Sequence, residues 1–218
     1  MIWAVLLSIP AYLFGNIPFA VLVARMAGHD IYSKGSKNPG ASNVARIAGW
    51  RWGSLAMALD ILKGFIPTVL ALTLLDSYLT NEQTRVVAYL VGCAAMLGHV
   101  LPIGRKGGKG IATGAGAIIA LLPFAGLAAL VAWVLVMKIS KLPVVSSICA
   151  SVILPIWVGI DHNYLWEFVL VTLLFAFVVL RHIPNLRRLI KSEETGVSKT
   201  LREQYKHEKD IEAKWLNE

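Results

Sequence analysis

The chain has 218 residues, is 56% hydrophobic with a mean hydropathy of +0.64, and carries a formal charge of +8. A soluble domain is roughly 45–50% apolar. Several runs here reach the roughly 20 apolar residues that cross a bilayer, so composition excludes a soluble globular fold and predicts an all-α polytopic membrane protein. In such a protein the positive charge belongs to loops beside anionic headgroups and argues for no nucleic-acid partner.

Met1-Ile2-Trp3 has no positive n-region, and the run from Ile2 to Ala24 reads as a retained span rather than a cleaved signal. Gly15-Asn16-Ile17-Pro18 predicts a kink within it near a polar site. Further apolar runs cover Trp52–Leu75, Val86–Ile103, Ile111–Met137, Leu142–Ile160 and Leu165–Leu180. Trp50 and Trp52 stand where interfacial aromatics belong. Asp60 and Lys63, at i and i+3, share one side of the second run. Charges within a membrane are costly, so such a pair is a functional candidate. Cys93 and Cys149 lie in apolar runs, and their spacing fits no disulfide or metal framework.

The fourth run holds Pro123 near its middle. If it turns back there, nearly all of the 21 Lys and Arg fall on one side, leaving Arg85 opposite and Lys63 within a span. The positive-inside rule therefore predicts seven segments, N-terminus out and C-terminus in, with a broken or short helix pair at 111–137. Two pieces of that length are short for a bilayer of roughly 30 Å, which is allowed where backbone lines a polar cavity. Residues 1–190 read as one transmembrane domain and 191–218 as a charged cytoplasmic tail. Leu186, Leu189, Leu201, Tyr205, Ile211 and Trp215 among the charges predict helix along the inner surface. There is no internal repeat.

Three polar clusters fall on the same predicted side: Ser33–Arg46, Gly98–Thr113 and Arg181–Glu194. The central one sets Arg105, Lys106 and Lys109 around Gly107-Gly108. Glycines let backbone N–H groups turn toward an anion, and lysine supplies a compact charge suited to phosphate. The clusters together point to phosphate groups held where water meets lipid. Several motifs fail. Gly108-Lys109 is followed by Gly110, which rules out a Walker A loop, and there is no Gly-x-Ser-x-Gly elbow and no His-Glu-x-x-His zinc site. His162…Glu167 is similar to the His–acid dyad of another class of glycerolipid acyltransferases. It carries Glu for Asp and sits on the opposite predicted side.

Gly35–Arg46, Asp60-Ile61-Leu62-Lys63-Gly64, Gly98-His99 with Lys106–Thr113, and Arg181-His182 with Asn185–Leu189 resemble, in order, the motifs of the bacterial membrane acyl-phosphate:glycerol-3-phosphate acyltransferase family. The resemblance runs from the first span to Glu194. It implies a seven-helix bundle in the bacterial cytoplasmic (inner) membrane, with its active site toward the cytoplasm. The activity implied is transfer of a fatty acyl group from acyl phosphate to the 1-hydroxyl of glycerol 3-phosphate. The products would be lysophosphatidic acid and inorganic phosphate, without metal or organic cofactor. The acyl phosphate would come from a soluble enzyme. By the same resemblance, Ser36, His99, Lys106 and Asn185 are catalytic. Gly35, Asn38, Asn43, Arg46, Lys63, Gly107, Gly108, Lys109, Thr113 and Arg188 hold substrate or phosphate. His99 would orient or deprotonate the glycerol hydroxyl, with the leaving phosphate as the other proton acceptor. The chain departs from the pattern at Lys37, where the family has Gly, at Ser42 for Thr, and in a His99–Lys106 segment about two residues short. A small anion or organic-phosphate transporter is the alternative; transporters place polar clusters near the midplane at broken helices, as only 111–137 and Asp60/Lys63 would here.

Overall fold

The computed structural model describes residues 2–161 and 164–191. His162 and the tail beyond Lys191, including its predicted surface helix, lie outside the described residues. Nine helices run in order among those described: α1 (Ile2–Gly15), α2 (Phe19–Met26), α3 (Ala41–Ala48), α4 (Trp50–Leu75), α5 (Asn81–Val100), α6 (Ile111–Leu121), α7 (Pro123–Ser140), α8 (Pro143–Asp161) and α9 (Leu165–Ile190).

Five helical stretches are long and apolar enough to cross a membrane: Ile2–Met26, Trp50–Leu75, Pro123–Ser140, Pro143–Ile160 and Leu165–Ile190. They make this a multi-pass membrane protein. Large apolar side chains such as Leu6, Leu70, Val131 and Leu173 are exposed along them, as a lipid solvent requires.

The first span is interrupted at Asn16–Pro18, where proline cannot continue the hydrogen-bond ladder. The fourth run also breaks as its proline predicts, with Pro123 at the first position of α7. α6, at 11 residues, rises only about 16 Å, half a bilayer. α7 continues past Met137 to Ser140 and at 18 residues is longer than its sequence suggested. α5 is long enough to span but contains Glu82, Arg85 and His99 and is largely buried by its neighbours. Residues 41–48, read from sequence as part of a polar loop, form the separate helix α3.

Helices in lipid gain no hydrophobic drive from meeting one another, so small residues that allow close backbone approach decide the pairing. α4 and α6 pack through a reciprocal pair. A Cβ on Gly64 would lie 1.8 Å from the Thr113 carbonyl oxygen, and one on Gly116 would lie 1.9 Å from that of Ile61. α1 and α5 do the same through Gly15 and Gly98. One buried cluster joins Ala11, Ala71, Leu75, Val91 and Leu121 of these helices; a second, with Val23, Ile31, Val44 and Ala56, seats α3 against α2 and α4.

At the end of the bundle opposite the polar loops, Glu167 is buried against Arg85 and accepts from the Tyr89 hydroxyl at 2.6 Å. Glu167 is thus committed to joining α9 to α5.

Candidate active site

The loop from Leu101 to Gly110 is tied to every neighbouring polar segment. Arg105 donates to Asn16 Oδ1 at the break after α1. Lys106 Nζ donates to the Lys37 carbonyl at 3.2 Å, and the Tyr32 hydroxyl donates to the Lys106 carbonyl at 3.3 Å. Arg181 of α9 donates to the Gly108 carbonyl at 2.7 Å, and Lys109 Nζ donates to Asn185 Oδ1. The three clusters separated in sequence therefore meet at one end of the bundle.

They surround a cavity of about 190 Å³. Ser36, Asn38, Arg46, His99, Lys109 and Asn185 line its polar end. From there it runs between α5, α6, α7, α8 and α9 past Met96, Cys93 and Phe175 to Tyr89, Leu121 and Leu154, and is mostly apolar. His99 and Tyr89 are ten residues apart on α5, so the apolar part extends about 15 Å from the polar end.

Two helix N-termini open on that polar end. α3 begins at Ala41 after Gly40, and α6 begins at Ile111 after Gly110, whose φ of +89° is left-handed and suits glycine. The first amides of a helix have no intrahelical acceptor and carry the positive end of its dipole. Gly40, Ala41 and Ser42 line the cavity, as do Gly110, Ile111 and Ala112. Arg46, from the last turn of α3, and Lys109, just before α6, line the same polar end, so the arrangement offers two adjoining anion sites.

The remaining expected residues divide by position. Lys63, Lys106, Gly107 and Gly108 line a smaller pocket that shares His99 with the main cavity. Gly107 and Gly108 pack too closely for side chains: a Cβ would lie 2.2 Å from the Val100 carbonyl oxygen or 2.0 Å from His99 Nε2. The Gly108 N–H closes the loop on the His99 carbonyl at 3.1 Å. The glycines expected to offer amides to phosphate are thus required here for close packing over His99. Asn43 also lines the cavity, yet both its amide hydrogens bond the carbonyls of Ile31 and Lys34, and its Oδ1 accepts the Ser36 N–H at 2.8 Å. It shapes the loop that presents Ser36. Gly35, with φ +61° and Asn43 Oδ1 2.3 Å from where a Cβ would sit, belongs to the same turn. Lys37 follows with φ +54°, a left-handed conformation unusual for a residue with a side chain. Thr113 is buried at the α4–α6 contact, and Arg188 lies a turn beyond Asn185 and is half-buried.

Sequence reasoning did not single out His182. It lies one turn before Asn185 on α9, is buried, lines the cavity, and donates through Nδ1 to the Val178 carbonyl at 2.8 Å. The i, i+3 spacing from Asn185 was the available signal. The apolar reach to Tyr89 carried no signal, because its residues belong to five helices.

The glycerol-3-phosphate acyltransferase family model matches residues 5–192. Glycerol-3-phosphate acyltransferase of Desulfotalea psychrophila is 36% identical over 191 residues, covering 87% of this chain and 95% of that protein. The enzyme of the same description from Thioalkalivibrio sulfidiphilus is 36% identical over 200 residues, covering 90% and 95%. The crystal structure of PlsY (YgiH), an integral membrane glycerol 3-phosphate acyltransferase, in its glycerol 3-phosphate form superimposes with a TM-score of 0.79 at 32% identity, covering 88% of this chain and 94% of that one. Its lysophosphatidic acid form gives 0.76 at 31% identity, covering 91% and 98%.

Proposed function

The chain belongs to the glycerol-3-phosphate acyltransferase family, and we propose that it moves a fatty acyl group from acyl phosphate to the 1-hydroxyl of glycerol 3-phosphate, giving lysophosphatidic acid and inorganic phosphate. It is an acyltransferase of phospholipid synthesis. The observation that carries the acyl-phosphate reading is the pairing of two helix N-termini with the cations Arg46 and Lys109 at the polar end of one apolar cavity. A reaction between two phosphate-bearing substrates, one with a long acyl chain, needs that combination.

In this reading the acyl phosphate places its phosphate at the N-terminus of α3, with Gly35, Ser36, Asn38 and Arg46, and its chain toward Tyr89. Glycerol 3-phosphate places its phosphate near the N-terminus of α6, with Lys109, Asn185 and Arg188. Lys106 adds charge at the rim. The hydroxyl oxygen of glycerol 3-phosphate attacks the acyl carbon, the bond from that carbon to the phosphate oxygen breaks, and the hydroxyl proton leaves on inorganic phosphate. An acyl phosphate is already an activated anhydride, so no covalent enzyme intermediate is required. Alignment and charge stabilisation account for the catalysis.

The lysine and arginine distribution supports seven membrane segments, α6 and α7 among them, with the N-terminus out and the polar end toward the cytoplasm of a bacterial inner membrane. A soluble enzyme that makes acyl phosphate would deliver the donor there. To test the donor, purified protein in lipid nanodiscs receives glycerol 3-phosphate with one acyl group presented as phosphate, coenzyme A thioester or carrier-protein thioester. Lysophosphatidic acid should form from the phosphate alone. Comparable turnover from either thioester overturns the acyl-phosphate reading.

A further inference from the structure

Beneath the cavity mouth, Lys63 Nζ has three polar neighbours within hydrogen-bond reach: Asp60 Oδ1 at 2.9 Å, the Ile17 carbonyl at 3.1 Å and His99 Nδ1 at 2.8 Å. The break between α1 and α2 presents the Ile17 carbonyl; α4 supplies the ion pair; α5 supplies the histidine. An ammonium has three hydrogens and no lone pair, and a carboxylate and a carbonyl can only accept. Two of the Lys63 hydrogens therefore have the Ile17 carbonyl and the imidazole nitrogen as acceptors, and Asp60 pairs with the ammonium as its counter-charge.

The shared proton belongs on the lysine for two reasons. In water an amine outcompetes an imidazole for a proton by about four orders of magnitude. The Asp60 carboxylate strengthens that preference, since it touches Nζ but stands 3.6 Å from His99 Nδ1, beyond hydrogen-bond reach. The Phe19 ring, 5.8 Å from Nζ, adds a further face that favours a cation there. With Lys63 neutral and His99 neutral, Asp60 would be a buried carboxylate without a cation, which is strongly unfavourable. A neutral imidazole that accepts at Nδ1 carries its hydrogen at Nε2. That Nε2 lies against Gly108, where the main cavity meets the smaller pocket, and takes no hydrogen bond among the described residues.

We propose that Asp60 and Lys63 are positioning residues that lock His99 in the Nε2–H tautomer, so that His99 serves the acyl transfer as a hydrogen-bond donor to a substrate oxygen and not as its base. The proposal rests on the acyltransferase reading above. The donor stabilises the negative charge that builds on the carbonyl or phosphate oxygen as the hydroxyl attacks, and the hydroxyl proton departs with inorganic phosphate.

The test starts with the wild-type protein in nanodiscs, labelled with ¹⁵N-histidine and observed by NMR without substrate. Loss of one signal in His99→Gln assigns His99. The expected spectrum has an unprotonated Nδ1 and a protonated Nε2. A protonated Nδ1, alone or with Nε2, overturns the proposal. In turnover, His99→Gln keeps an N–H at similar reach and should retain activity within about tenfold, while His99→Ala should lose about a hundredfold; equal losses overturn the donor role. Lys63→Met should lower kcat while KM for glycerol 3-phosphate stays within about twofold, and an unchanged kcat overturns the positioning role. The wild-type spectrum needs no turnover. A failed tautomer assignment is therefore distinguishable from a failed acyltransferase reading, which absence of lysophosphatidic acid from the wild-type protein would reveal.

Discussion

Replacing Gly108 by alanine tests whether the glycine loop sets the position of His99. The new Cβ would stand 2.0 Å from His99 Nε2, 2.8 Å from Cε1 and 2.9 Å from Cδ2, where ordinary contact begins at 3.4 Å. A displacement of more than about 1 Å is required. The ring cannot retreat without lengthening its 2.8 Å bond to Lys63. The loop cannot lift without straining the Gly108 N–H bond to His99 and the Arg181 bond to Gly108. Either response misplaces a group at the reacting centre by about 1 Å, which costs about a hundredfold in rate. Gly108 sits in a loop at the bundle's end, so the helix pairs persist and the thermal loss stays within the roughly 1–3 kcal/mol of an overpacked site. The assay is steady-state lysophosphatidic acid formation beside a thermal melt of the same preparation. A folded Gly108→Ala enzyme within threefold of wild type would refute the reasoning.

Other substitutions probe separate parts. Arg46→Ala and Asn185→Ala should each lower kcat/KM by about a hundredfold, because each removes a buried polar side chain from the cavity's phosphate end; near-normal kinetics in both contradicts the site assignment. Lys37→Gly should leave the melting temperature within a few degrees, since release from a left-handed conformation worth about 1–2 kcal/mol is offset by glycine's chain entropy of about 1 kcal/mol. Lys37→Val should lower it clearly, and equal melting of the two variants contradicts the backbone argument. Glu167→Ala leaves the Arg85 guanidinium half-buried without its carboxylate and should destabilise by about 3 kcal/mol. The KM for glycerol 3-phosphate should be unchanged, because Glu167 is at the opposite end of the bundle; a large rise in KM contradicts that separation.

Much of this arrangement was legible before any coordinates. Pro18 and Pro123 marked both helix breaks, whereas Pro10, Pro67, Pro155 and Pro184 stand inside helices that continue through them, so the missing donor alone does not decide where a helix ends. The convergence of Ser33–Arg46, Gly98–Thr113 and Arg181–Glu194 was expected from charge sidedness, and among the described residues bonds such as Lys109 to Asn185 and Lys106 to Lys37 realise it. What sequence could not show depended on contacts across helices. Helix α3 hid within a run of glycine and polar residues, and its amphipathic face becomes evident only against α2 and α4. Asn43 was read as a ligand of phosphate, but its amide is engaged with three backbone groups of the preceding loop. Lys63 was also read as phosphate-binding, and its ammonium is engaged with Asp60, the Ile17 carbonyl and His99. Residue type identified both as functional candidates, while partner geometry decided where each one acts.

The most direct test of two phosphates at two helix N-termini is an experimental structure with glycerol 3-phosphate and a non-transferable acyl phosphonate bound together. One phosphorus group should accept N–H bonds at about 2.9 Å from the start of α3, and the other from the start of α6 beside Lys109, with the acyl chain directed toward Tyr89. A phosphorus group bound away from both helix starts, or an acyl chain outside the cavity, would contradict the account.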